Sequence, residues 1–115
     1  MLKVTDVFLS AFLPRTRDAE VRGLDPYRDA TLDQRSLARW QGELDHVKTQ
    51  MREEIRTRLA QTRRLPSDPT SREAVLRDWV ERELSADEHF RTLLEVDTAV
   101  TLALDCGGII EVMGD

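Results

Sequence analysis

The stretch TLDQRSLARWQGELDHVKTQMREEIRTRLAQTRRL, residues 31–65, decides how the rest of the chain is read. Within it Leu37, Trp40, Leu44, Val47 and Met51 recur at spacings of three, four, three and four, the a/d seam of a coiled coil. After Met51 the pattern passes to Ile55 and Leu59, two spacings of four, which rotates the seam as a stutter does. Thr31 with Gln34 has the form of a capping box and opens the helix. Pro66 closes it, because the residue before a proline is pushed out of the α region. Gly42 is the one weak point and is expected to mark a kink or a close backbone contact.

Such a helix would be about 50 Å long at ~1.5 Å per residue, whereas a compact chain of this length is only about 34 Å across. Two outcomes satisfy the geometry: a helix kinked at Gly42 and packed internally, or one that protrudes and pairs with another chain.

The remaining segments read as partners for this helix. Val4, Phe8, Leu9, Phe12 and Leu13 share one side of a short helix that starts near Thr5 and is ended by Pro14. Residues 15–30 are mostly charged, with Gly23 and Pro26 as breakers. They read as a connection with at most a short helix at 16–22, tethered by Leu24 and Tyr27. Ser67, Asp68, Pro69 and Thr70 form a tight link, which makes the next helix an adjacent, antiparallel neighbour. Thr70 with Glu73 is a second capping box, in front of the stripe Val75, Leu76, Trp79, Val80 and Leu84. Ser85 with Glu88 is a third, so a break is expected between Leu84 and Ala86. The last helix carries Phe90, Leu93, Leu94, Val96, Val100, Leu102, Ala103 and Leu104, and Gly107 with Gly108 should stop it in a left-handed cap. Cys106, Ile109, Ile110 and Met113 do keep the helical spacing beyond that point. Once stopped, residues 109–113 form an apolar tail that must dock or pair, for example as a strand added to a partner's edge. The fold expected is therefore all-α and a single domain over 1–115. It is a helical bundle on a long hairpin from Thr31 to Leu84, with a short N-terminal helix (1–14), a connection (15–30) and C-terminal helices with an apolar tail (66–115).

Composition narrows function. Hydrophobic residues make up 40% of the 115 and charged residues 34%, which suits exposed helices laced with ion pairs. The net charge of −5 argues against unspecific nucleic-acid binding. It is unevenly placed: residues 1–64 carry 13 basic and 10 acidic side chains, residues 65–115 carry 4 and 12. Unlike ends of this kind attract, within one molecule or between two. Cys106 is the only cysteine, so no internal disulfide can form and a reducing compartment is the default. The apolar run from Val7 to Leu13 is too short for a secretory signal, and nothing approaches the ~20 apolar residues of a membrane span. The expectation is a soluble cytoplasmic protein.

Chemistry-bearing patterns are few. Glu43 and His46 form an E-x-x-H, a spacing that diiron carboxylate bundles use. It resembles them at this point only, since His89 has Ala86 three residues before it, and a dimer would have to supply the second copy with Glu88 or Glu95 bridging. Glu53 with Glu54, Asp78 with Glu81, and Glu95 with Asp97 could hold a hard cation if folding gathered them. No nucleophile elbow, phosphate loop, C-x-x-C or dinucleotide fingerprint occurs. No catalytic, cofactor-binding or metal-ligating residue is therefore assigned. Lys48, Arg52 and Arg56 form one helical row with Arg63 and Arg64 beyond it. A row of that kind meets phosphates or an acidic protein surface. The leading expectation is a non-enzymatic protein–protein interaction module or small structural subunit of an assembly. It would self-associate or bind a partner through Leu37, Trp40, Leu44, Val47 and Met51. The alternatives are a nucleic-acid-contacting subunit using Lys48, Arg52, Arg56, Arg63 and Arg64, and an all-α metal-dependent enzyme.

Overall fold

The computed structural model describes residues 6–24 and 29–112. Three expected contacts, those of Val4, Tyr27 and Met113, lie outside them. The fold is all-α with one small sheet: α1 (Asp6–Phe12), a 3-10 turn (Leu13–Arg15), α2 (Ala19–Arg22), β1 (Ala30–Leu32), α3 (Gln34–Thr62), α4 (Pro69–Ala86), α5 (Glu88–Cys106) and β2 (Ile110–Val112).

The hairpin is longer than expected. α4 runs back along the C-terminal half of α3, where Arg56 meets Glu73 and Arg52 meets Glu81. The chain turns at Asp87, which ends α4 and caps α5, and α5 continues antiparallel along the rest of α3. Successive cross-links mark its path: Arg52 over the Phe90 ring, Lys48 to Asp97, Gln41 to Thr101, and Gln34 to the Ala103 carbonyl. The second arm thus extends past Leu84 to Cys106 and covers the whole of the first. This arrangement removes the length mismatch, because the molecule itself is drawn out to 50 × 27 × 23 Å. α3 continues through Gly42 without interruption, and a Cβ there would meet nothing within 4 Å, so neither a helix break nor a close contact explains this glycine.

α1 crosses the middle of the hairpin. Phe8 stacks on Phe12 and Phe12 on Trp40, with ring centroids 5.3 Å apart in each pair, and Phe8 also faces His89. Leu9 and Leu13 are buried beside them.

α3, α4 and α5 start at Asp33, Asp68 and Asp87 rather than at the expected Thr31, Thr70 and Ser85, and α2 starts at Asp18. Asp33 accepts from the Ser36 N–H, Asp68 from Ser71, Asp87 from Phe90, and Asp18 from Glu20 and Val21. An aspartate two or three residues away supplies a short charged acceptor whose carboxylate also suits the helix dipole. Those hydrogen bonds hold Asp18, Asp33 and Asp68 below the ordinary carboxylate pKa. Thr31 consequently lies in β1, and Gln34 turns its amide to the Ala103 and Gly108 carbonyls.

α5 stops as expected. Gly107 takes φ 69°, a left-handed cap, and the Gly108 N–H bonds back to Ala103. The tail then pairs within its own chain: β2 is antiparallel to β1, with Ala30 opposite Val112 and Leu32 opposite Ile110. Strands flanking the two arms close the open end of the hairpin.

Candidate interaction surface

The five seam residues do not form a free face. Leu37, Leu44 and Val47 are completely buried, and Trp40 and Met51 nearly so, against the chain's own α1, α4 and α5. Leu59 is buried as well and Ile55 packs against the core. A partner cannot use this seam while the monomer is folded.

Most of the basic row is also engaged internally. Lys48 pairs with Asp97 at 2.8 Å and Asp45 at 3.2 Å, Arg52 with Glu81 at 3.0 Å, and Arg56 with Glu73. Arg58 pairs with Glu83, and Arg63 lies over the Trp79 ring at 5.3 Å. Arg64 is exposed. Burial alone would lower the Lys48 pKa, but its two carboxylate partners outweigh that and raise it. The acidic surface that meets the row is therefore the other arm of the same hairpin, and the unlike charge of the two halves of the chain acts as an internal zipper.

Glu43 has a structural task that its spacing from His46 does not reveal. Its buried carboxylate accepts from the Arg17 N–H at 2.9 Å and the Asp18 N–H at 3.2 Å. It thereby ties the start of α2 to α3. Of the expected carboxylate pairs, Glu54 binds Arg15, Asp78 binds Arg82, and Glu81 and Asp97 belong to the zipper. Among the described residues no three His, Cys, Asp or Glu side chains are gathered as a metal site. Cys106 is exposed, and its thiol lies 3.8 Å from the Ala103 carbonyl.

The fold leaves apolar surface uncovered on α1, midway along α5 and at the hairpin's open end. Among the described residues the large apolar side chains left exposed are Val7, Leu94, Leu102 and Ile109. Leu102 is 66% exposed and Ile109 58%, and both line a groove of about 550 Å³ between α5 and β2. Ala99, Ala103, Cys106, Gly108, Ile110 and Glu111 form the rest of its wall. Its floor is fixed: Gln34 bridges the Ala103 and Gly108 carbonyls, and the β1–β2 pair anchors Ile110 inward. Leu102 was grouped with the core residues of the last helix, yet the buried positions Phe90, Leu93, Val96, Val100 and Ala103 follow spacings of three and four that pass it by. That phase was the signal that distinguishes it. No protein-family model, curated protein or solved structure matches the chain. No helix among the described residues is long and apolar enough to cross a membrane.

Proposed function

We propose that the chain is a non-enzymatic protein–protein interaction module, a small subunit of a larger assembly, and that it docks through the groove between α5 and β2. The observation that supports this reading is the contrast between seam and groove. The chain buries a helix face 29 residues long with its own second arm, yet leaves Leu102 and Ile109 bare along an open groove. Apolar side chains facing water in a preformed groove favour occupation by apolar surface from elsewhere. The seam residues Leu37, Trp40, Leu44, Val47 and Met51 are buried and have almost no exposed surface to offer a partner. The basic row likewise offers few phosphate contacts, because Lys48, Arg52 and Arg56 are already neutralised.

Cys106 lies in the groove wall and provides the test. Its alkylation by a small thiol reagent should be fast in the purified chain and slow in an extract of the cells that make the protein. Leu102→Asp should restore the fast rate in extract. Equal rates in both settings would contradict the proposal.

A further inference from the structure

We infer that the occupant of the groove is a basic amphipathic helix of a partner protein, an inference that rests on the docking surface just proposed. Along the zipper the carboxylates are paired, but none of the ion pairs among the described residues involves Glu95, Asp105 or Glu111. Glu95 lies one turn before Ala99 and Asp105 three residues after Leu102, so both border the exposed face of α5, and Glu111 lines the groove itself. No Lys or Arg occurs from residue 92 to 112. Among the described residues, therefore, Glu111 in the groove wall and Glu95 and Asp105 on the adjoining face of α5 form no ion pair, and neither α5's last turns nor β2 carries a basic side chain to screen them. A surface of that sign repels phosphate backbones and anionic lipid, and it favours lysine and arginine flanking apolar anchors.

The same charge disfavours a second copy. A two-fold contact on this face would set the acidic Glu95, Asp105 and Glu111 of one copy against the same acidic surface of the other, and like charges across an interface are destabilising. Shape selects a helix over an added strand. β2 has only three residues and offers a short edge. The α5 face from Glu95 to Cys106 is about 18 Å long at ~1.5 Å per residue, which suits three to four turns of a partner helix. Ala99 and Cys106 keep that face low enough for close approach, between the ridges made by Leu102 and Ile109. A helix laid there places its anchors at i, i+3 or i+4, and i+7, with basic residues on either flank.

The test uses the full chain and a displayed library of amphipathic helical peptides in which the apolar face is constant and the polar positions vary freely among Lys, Arg, Glu and Asp. Peptides enriched on the wild-type chain should be net basic and should weaken with added salt. They should also lose about tenfold or more in affinity for Leu102→Asp. The combined variant Glu95→Lys, Asp105→Lys, Glu111→Lys should reverse the selection toward acidic peptides. Enrichment without charge bias that still depends on Leu102 would overturn the basic partner while leaving the groove as the docking surface. A Leu102-dependent dimer of the pure chain in sedimentation would do the same in favour of a second copy. A monomer that enriches no peptide would overturn both the partner and the surface.

Discussion

Glu43 shows how one residue's burial can reverse its meaning. Read by spacing it belongs with His46 as a metal-type pair, and read by position it satisfies two backbone N–H groups at the start of α2. Removing such an acceptor leaves two half-buried donors unpaired, so Glu43→Ala should cost about 1 kcal/mol or more in urea unfolding. Faster amide exchange at Arg17 and Asp18 should accompany that loss, and an unchanged midpoint would contradict the role. Gly42 makes the opposite case. Its helical position is open to solvent with space for a Cβ, so Gly42→Ala should add about 0.5–1 kcal/mol to stability. A loss there would point to a contact on the exposed side of α3. The sequence pattern flagged both positions, but it could not say which faced the core, because a charged residue and a glycine are both atypical of a buried helix face.

At the scale of elements, the docking of α1 is expected to respond to pH. Its Phe8 ring packs 5.2 Å from His89, whose buried Nε2 has no hydrogen-bond partner. Burial lowers the His89 pKa from 6.5, opposed by Asp87 and assisted by Arg15, which Glu54 holds in place. The folded chain thus binds this proton less readily than the unfolded one. The stabilisation from neutral His89 is fully present above the unfolded pKa and is lost as the pH falls below it toward the lowered folded value. Thermal stability should therefore decline as the pH falls below 6.5, with a change in Trp40 emission as Phe12 moves, and His89→Phe should remove this component. If the decline persisted in His89→Phe, the switch would lie elsewhere. Loss of the caps at Asp18, Asp33 and Asp68 belongs to a separate acid step, because their lowered pKa values keep them ionised until the pH falls below the ordinary carboxylate range. The helices were legible from apolar periodicity and proline boundaries, the stop at Gly107 came from a local signal, and a break was expected between Leu84 and Ala86 but falls at Asp87, whose carboxylate caps α5. The strands were not. β1 exists only because Ala30 to Leu32 meets Ile110 to Val112 across some 80 residues of chain, and no local preference in either three-residue run announces that pairing.

For the whole molecule, the premise that a long apolar stripe must seek another chain depended on assuming a compact globule. The 50 Å long axis shows the alternative that was taken, a bent second arm laid along the first. Where the arm turns was readable, but that α5 resumes the same course instead of folding back is set by tertiary contacts such as Lys48 with Asp97 and Gln34 with Ala103. The consequence for function is that the residues most eligible as an interface by pattern form the core, and the interface proposed here consists of side chains out of phase with that pattern. Seam and groove should accordingly respond differently to truncation. Leu44→Ala should cost about 2–5 kcal/mol, as a fully buried leucine does. Leu102→Ala should change stability by no more than about 0.5 kcal/mol, as is usual for exposed sites. The most direct test of internal burial is the urea midpoint of the wild-type chain, followed over a roughly hundredfold range of protein concentration. A seam covered by its own second arm predicts a midpoint that does not move, and a midpoint that climbs with concentration would contradict it by showing that the fold is completed by another copy.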